Sequence, residues 1–451
     1  MGLKAEMPDP VAQNCLSLLQ DLLAGFRPRD FAIRLWDGST WDPEPGHPPR
    51  FTMVIRNPAV LRRMFLSPSE LSLGEAYLQG DFDIEGDIES AIALGEYLVR
   101  QPRGIAGRLR LARDLLALPA GKRPAVVRPL ERLRGVRHSL HRDREAARYH
   151  YDVSNDFYSL FLDERMVYSC AYFSSCDEDL DTAQRRKLDY ICRKLRLRRG
   201  ERLLDIGCGW GGLVLHAASR YGVEAVGITL SEPQAALANE RIRRAGLSDR
   251  CRVEVRDYRE VDGSPAYDKM VSVGMFEHVG ESLLPEYFRR AFLLLRPGGV
   301  FLNHGIARNP DFPPAPGPSF TDHHVFPDGE LVPISTTMCC AEASGFEVRD
   351  VESLREQYIL TLRHWVGRLE ARREEARRAT DERTYRLWRL YMAGAAHKFR
   401  IGQNNVYQVL LSRSSGRESG LPLTRADWYA EDRALGTGKG VNTLWMSAPR
   451  N

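Results

Sequence analysis

The stretch Asp205-Ile-Gly207-Cys-Gly209-Trp-Gly211-Gly212 decides the fold of this chain. It ends an apolar run, Arg202-Leu-Leu-Asp-Ile206, that reads as a strand, and it opens a helix. Glycines at such a junction let the backbone turn tightly and approach a ligand closely beside a helix N-terminus. Working outward, strand candidates recur at Ala225-Val-Gly-Ile-Thr229, Lys269-Met-Val-Ser-Val273 and Val300-Phe-Leu-Asn-His304. Helical segments, Pro233 to Ala245 and Leu284 to Leu295, fall between them. This alternation predicts a Rossmann-like α/β domain with a doubly wound, mostly parallel sheet.

Gly207, Gly209 and Gly212 spell GxGxxG, so a dinucleotide site has to be weighed. The next strand ends Gly227-Ile-Thr-Leu-Ser231 and lacks the carboxylate that would bind a ribose about 20 residues on. Asp205, two residues before the first glycine, instead fits a methyltransferase loop, facing the charged methionine end of S-adenosylmethionine. A tight turn with no ligand is the plainer alternative.

With 451 residues the chain is long for one domain. Its net charge of +4 is mild, and 43% hydrophobic residues give ample core. Residues 1–101 read as a small N-terminal α/β domain, with strands at Phe31 to Trp36 and Phe51 to Arg56 and a helix at Leu71 to Leu78. Residues 102–149 hold thirteen Lys/Arg against four acids and read as a basic helical linker. The main domain occupies 150–413, helical over 352–400, and a tail of unknown role covers 414–451. The N-terminus has neither the cationic start nor the apolar run of a signal peptide, and no stretch is apolar enough to span a bilayer. Eight scattered cysteines without a CxxC pair read as reduced thiols, so a cytoplasmic location is expected. Neither cysteine nor histidine spacing suggests a metal. The basic segment has no base-stacking aromatics interleaved before Tyr149 and Tyr151, which argues against nucleic acid and for a cationic surface on anionic lipid; a solvated linker is the plainer reading.

Six ordered motifs carry a resemblance. They are His150-Tyr-Asp-Val-Ser-Asn-Asp-Phe-Tyr158, Met166-Val-Tyr-Ser-Cys-Ala-Tyr-Phe173, the glycine loop, Gly227-Ile-Thr-Leu-Ser-Glu-Pro-Gln234, Gly274-Met-Phe-Glu-His-Val-Gly280 and Tyr358-Ile-Leu-Thr-Leu-Arg-His-Trp365. Through them the chain resembles the cyclopropane-fatty-acid synthases, class I methyltransferases related to the mycolic acid cyclopropane synthases. The likeness covers 150 to 410, and Leu73-Gly-Glu-Ala-Tyr77 with Gly80 extends it to the N-terminal unit of the phospholipid-acting enzymes. It implies S-adenosylmethionine against Tyr168, Ser169, Asp205, Gly207, Gly209, Gly211, Thr229, Leu230, Gln234, Asp257 and Tyr258. It implies a bicarbonate ion, the general base, held by Cys170, Glu277, His304, Tyr358 and the N–H of Ile306. The implied substrate is an unsaturated phospholipid at the membrane's inner face, and the implied assembly a homodimer.

The chemistry makes those residue types reasonable. Methylating an isolated alkene leaves a cation on the acyl chain, and ring closure then needs a base working where water is excluded. The same cation can instead resolve to a methylene or methyl branch. Small-molecule N-methylation and a non-enzymatic binding protein with a vestigial cofactor site are the other readings. Singly, each candidate has a plainer role: Cys170 as a small core residue, His304 as a core histidine, Glu277 as a helix cap, Tyr358 as packing.

Overall fold

The computed structural model describes residues 9–66, 68–101, 104–120, 135–312, 319–416 and 418–429. They form two units: Met1–Phe161 with Arg308–Glu330 and Leu362–Asn405, and Leu162–Ala307 with Leu331–Thr361 and Val406–Asn451.

In the first unit, alternating apolar residues build a four-stranded sheet from β1 (Phe31–Arg34), β2 (Thr40–Trp41), β3 (Phe51–Ile55) and β4 (Phe82–Gly86), in the order β2-β1-β3-β4. Phe31 faces Phe51 across the parallel β1–β3 pair, and their rings stack at 5.5 Å. β4 is an edge strand, which would leave its outward carbonyls unpaired. Arg386 and Arg389, one turn apart on the helix Glu382–Arg400, cover that edge. Arg386 donates to the Phe82 carbonyl at 3.3 Å, and Arg389 to those of Ile84 and Gly86 at 3.2 and 3.3 Å. Both guanidiniums are buried, and carboxylates of Asp83 and Glu370 balance their charge.

The second unit contains the sheet that the glycine loop predicted. Its strands are β5 (Arg202–Ile206), β6 (Glu224–Thr229), β7 (Cys251–Val255), β8 (Tyr267–Val273), β9 (Leu295–Arg308), β10 (Glu347–Ser353) and β11 (Asn404–Ser412), ordered β10-β11-β9-β8-β5-β6-β7. β9-β8-β5-β6-β7 pair in parallel, while β10 and β11 are antiparallel. β7, β10 and β11 were not among the strand candidates. Residues 352 and 353 finish β10, and the predicted helical run begins at Arg355. Apolar clusters cover both sheet faces. One gathers Leu188, Ile191, Val214, Ala238 and Val253, and the other Ile206, Met270, Phe276, Tyr287 and Phe288. Both faces are covered, as a parallel sheet requires.

Chain order reverses at β5: β6 and β7 lie to one side of it, β8 and β9 to the other. The crevice beyond the carboxyl ends of β5 and β8 is therefore the switch point at which such sheets bind ligands. Two glycines let the loop after β8 lie there. A Cβ on Gly207, whose φ is +80°, would stand 2.6 Å from Met275 Cβ, and one on Gly305 would stand 1.8 Å from the Phe276 ring.

Gly305→Ala should therefore cost about 2–3 kcal/mol, because the Phe276 ring has to leave its place. Urea unfolding measures this directly, and a change below about 0.5 kcal/mol would contradict the contact.

Candidate active site

The glycine loop winds against β6, with the Gly207 and Cys208 amides both donating to the Ile228 carbonyl, at 2.9 and 3.0 Å. Gly211, at φ +73°, begins the helix Gly212–Tyr221. Arg241 pins the loop from outside, donating to the carbonyls of Arg165 at 2.9 Å and Trp210 at 3.4 Å. Around the Cβ position of Gly209 there is open space. A cradle with room above a bare backbone fits a ligand that must approach closely.

Asp205 lies below that loop, 2% exposed. Burial pushes its carboxyl up to about 7, against the pull of the Lys187 ammonium. Thr229 Oγ1 donates to Gln234 Oε1 at 2.7 Å, and Ser231 caps the helix Glu232–Arg244 that carries Gln234. Leu230 between them is half-buried. Asp257 is buried and caps the turn Tyr258–Glu260. Arg259 forks onto its two oxygens at 2.8 and 2.7 Å, so an adenine amino group would share a carboxylate already in an ion pair. Tyr258 presents its ring to Tyr287 edge-on at 5.4 Å.

A second group of predicted residues gathers around β8, β9 and the loop Val167–Phe173. Glu277 lies in the single turn Phe276–His278. Its Oε1 accepts from the Ile306 amide at 2.7 Å, and its Oε2 is buried without a partner. Ile306's N–H, expected to face an anion, is thus already engaged by the carboxylate. Burial outweighs that bond and pushes Glu277 up to about 7. His304, on β9, has Nδ1 3.2 Å from Gln408 Nε2 on β11, while its Nε2 is buried without a partner. Burial first, then the ammoniums of Lys187 and Lys194, hold it well below the usual histidine range, so the ring is neutral at pH 7. Pairing of Val273 with His304, and the Gly274 amide on the His304 carbonyl at 2.8 Å, tie the Glu277 loop to this strand.

Cys170 is completely buried, and burial raises its thiol above the ordinary range. Its Sγ lies 3.7 Å from the Leu354 carbonyl, which also accepts the Tyr358 amide at 3.1 Å. Tyr358, half-buried, stands on the first turn of the helix Arg355–Ala371. The Ala171 amide donates to Thr361 Oγ1 at 3.0 Å on the next turn. Tyr168 and Ser169 precede the thiol in the same loop. Gln184 Nε2 donates to the Ser169 carbonyl at 2.8 Å, and Lys187 Nζ to Ser169 Oγ at 2.8 Å.

Gln184, Lys187, Thr361 and Gln408 were not anticipated. The signal was nonetheless there in the helix Leu180–Leu195: Gln184 and Lys187 share the face of Leu180, Leu188, Ile191 and Leu195, where a polar residue is out of place unless it serves a site. Gln408 carries no comparable signal, because its strand was not recognised. Among the described residues no cluster of His, Cys, Asp and Glu suits a metal ion. All eight cysteines are free.

Comparison with known proteins places these observations in a family. The family described as "Mycolic acid cyclopropane synthetase" matches residues 138–409, and a domain of unknown function matches residues 18–97. A "Probable fatty acid methyltransferase" of Pseudomonas putida is 40% identical over 88% of this chain and 95% of its own length. The "Cyclopropane-fatty-acyl-phospholipid synthase" of Escherichia coli K12 is 34% identical over 82% of this chain and 90% of its own. The crystal structure of the mycolic acid cyclopropane synthase CmaA1 complexed with SAH and CTAB superposes with a TM-score of 0.56 and 35% identity, over 59% of this chain and 97% of that one.

Glu277 allows a test of the site's electrostatics that needs no substrate. An acid whose pKa is raised on folding contributes stability below its unfolded value near 4.5, and that stability is lost as pH climbs through about 7. Glu277→Gln should therefore match wild type near pH 4.5 and exceed it at pH 8 by up to about 3 kcal/mol. Denaturant unfolding across that range checks it. A variant no more stable than wild type at pH 8 would mean that the carboxylate is solvated.

Proposed function

The chain belongs to the mycolic acid cyclopropane synthetase family and is an S-adenosylmethionine-dependent C-methyltransferase, and from that premise we propose that it methylates the double bond of an unsaturated phospholipid acyl chain and closes a cyclopropane ring. The single observation that favours ring closure is the pair of buried, unpartnered atoms, Glu277 Oε2 and His304 Nε2. Buried polar atoms are normally satisfied, so an orphaned acceptor and an orphaned ring nitrogen point to a small polar group that joins them. Bicarbonate fits this set.

S-adenosylmethionine, when bound, would supply an electrophilic methyl, and bicarbonate, when bound, a base for the proton which that carbon releases once it is joined to the acyl chain. The chain's own groups do the rest. With the Gln408 amide donating to His304 Nδ1, the proton of the neutral ring lies on Nε2, a donor for an anion oxygen. Glu277 Oε2 would accept the hydroxyl of the same anion, and Oε1, held by the Ile306 amide, fixes the carboxylate's orientation. Cys170 stays a neutral thiol and does not compete as a nucleophile. Phe276 and Val279, either side of Glu277, are buried in apolar surroundings that exclude water from a substrate cation.

A second reading keeps the methyl transfer but resolves the cation to a methyl or methylene branch. It is favoured by the name of the Pseudomonas putida relative, a probable fatty acid methyltransferase. N-methylation of a small molecule has no support in these side chains, since an amine needs no base cage.

Access to lipid is proposed through the basic segment, by peripheral association with the inner face of the membrane. Six of its thirteen basic residues, among them Lys122 to Arg134, lie outside the described ones. In the helix Ile105–Leu116, Ile105, Leu109 and Leu116 are 81%, 68% and 53% exposed. Their spacings of four and seven place them on one stripe. Arg110 and Arg113 are exposed beside it. An apolar stripe flanked by arginines suits an anionic membrane surface, each nearby charge contributing about 1 kcal/mol. Among the described residues no helix is long and apolar enough to cross a membrane. A homodimer is part of the same proposal, on family likeness alone.

Three results are expected. Lipids from cells expressing the chain gain 14 mass units (one methylene, of order 10 Da) with loss of the double bond; retained unsaturation would select the methylene product, and no lipid product would overturn the reading. Glu277→Gln and His304→Ala fold and bind S-adenosylhomocysteine yet lose turnover by about a hundredfold or more, and near-normal turnover in both would remove the cage. Leu109→Glu weakens flotation with anionic vesicles several-fold, whereas binding that ignores lipid charge would discard the surface.

A further inference from the structure

Residues 418–429 follow the last strand of the second unit and lie beyond 138–409, the stretch that the family matches. The end of this segment is built into the interior. Trp428, in the single turn Ala426–Trp428, is 3% exposed and joins the apolar cluster of Leu188, Ile191, Cys192 and Leu195 on the inner face of the helix Leu180–Leu195. Leu421 packs on the same cluster. Two ion pairs set the segment's register. Arg196, at the end of that helix, forks onto Asp427 at 2.7 and 3.1 Å, and Arg425 meets Asp350 on β10 at 2.8 Å. Lys194, Arg196 and Arg425 stand around the indole, 5.4, 5.1 and 5.6 Å from its centre.

From the indole a network of side chains reaches the loop Val167–Phe173. Lys194 is buried and pairs with Glu352, near the end of β10. Glu352 Oε2 accepts from the Tyr190 hydroxyl at 2.9 Å, and Oε1 from the Tyr172 hydroxyl at 3.4 Å. The Tyr429 hydroxyl lies 3.2 Å from that of Tyr190, whose one proton is already given to the carboxylate, so Tyr429 is the donor there. The rings of Tyr172 and Tyr190 are 4.6 Å apart. Tyr172 is two residues past Cys170, and Gln357 holds the next residue, accepting from the Phe173 amide at 2.6 Å.

We propose that Trp428 and Tyr429 are positioning residues for the loop that carries Tyr168, Ser169 and Cys170, acting through Lys194, Glu352 and Tyr172. The physical reason is exclusion of water. An ion pair is strongest where water is kept away, and the indole covers the Lys194 ammonium. Without that cover, water competes for both partners and Glu352 can turn outward. Tyr172 then loses its acceptor, and one side of the Cys170 loop is released. Residues 418–429 are thus a working part of the methyltransferase unit. The loop's role rests on the proposed cofactor and base sites. Failure of the wild-type protein to bind S-adenosylhomocysteine would remove those sites, whereas the measurement below needs no ligand.

The experiment is alkylation of the native full chain by N-ethylmaleimide, read cysteine by cysteine with peptide mass spectrometry. Cys170 and Cys251 are both buried, and Cys251 lies on β7, away from the segment, so it reports general loosening. Trp428→Ala should speed alkylation of Cys170 about tenfold or more while Cys251 keeps its wild-type rate. Trp428→Phe, which keeps a ring over Lys194, should recover most of the protection. An unchanged Cys170 rate, a parallel rise at Cys251, or no recovery in Trp428→Phe would overturn the positioning role. If Trp428→Ala does not fold, Tyr429→Phe decides instead. Tyr429 is 61% exposed, so this change removes little beyond the hydroxyl contact to Tyr190. Cys170 should then react about threefold faster, and an unmoved rate would reject the proposal.

Discussion

The arrangement of the site depends on close packing of the loop after β8 against two places that have no side chain. Met275 occupies the space where a Cβ of Gly207 would stand, and Phe276 the space where one of Gly305 would stand. The first contact joins the loop to the glycine turn, the second to β9 just beyond His304. Glu277 follows directly, and its bond to the Ile306 amide closes the circuit. Three features that are far apart in sequence, the glycine turn, the carboxylate and the imidazole, are thereby fixed by van der Waals contact together with the hydrogen bonds of Glu277 and Gly274. Packed interiors transmit a displacement of a few tenths of an ångström, so the Glu277 loop and the glycine turn cannot be adjusted separately.

Burying charge is the second constraint, and it is met differently in the two units. In the first unit, Arg386 and Arg389 are buried but fully used, donating to strand-edge carbonyls and paired with carboxylates. That arrangement is structural: it ends a sheet. In the second unit, Lys187, Asp205 and Glu277 are buried with fewer partners than they can take, and burial moves each toward its neutral form. Groups held near their titration points in a low-dielectric interior are where proteins keep chemistry, and stability is given up for it. The same protein shows both outcomes of placing ionisable groups out of water.

The division also bears on catalysis in the family. His304 and Cys170, both neutral, meet the proposed base as dipoles, whereas Glu277 is a carboxyl held near its titration point. Dipoles oriented in advance stabilise an anion without neutralising it, which leaves it basic enough to take a proton. Of the cations that act on His304, Lys187 donates to Ser169 Oγ and Lys194 is held by the carboxylates of Asp350 and Glu352.

The sequence by itself determined the sheet and its ligand class. A strand-glycine-helix junction, parallel strand candidates at regular spacing and a missing ribose carboxylate are local patterns, and local patterns survive without coordinates. The candidate residues Cys170, Glu277 and Tyr358 were legible through their motifs, and His304 through the resemblance and its place at the end of a strand candidate. Their partners were not: Gln408 lies in the unrecognised antiparallel strand β11, between β10 and β9, and Thr361 on a helix whose predicted start was early by three residues. Tertiary structure alone decided that Ile306's amide is spent on Glu277, that Arg259 already holds Asp257, and that Lys187 donates to the Ser169 hydroxyl. Each of these joins residues 2 to 29 positions apart, through space filled by other side chains. Periodicity tells which face of a helix is buried; only packing tells what a buried charge will meet there.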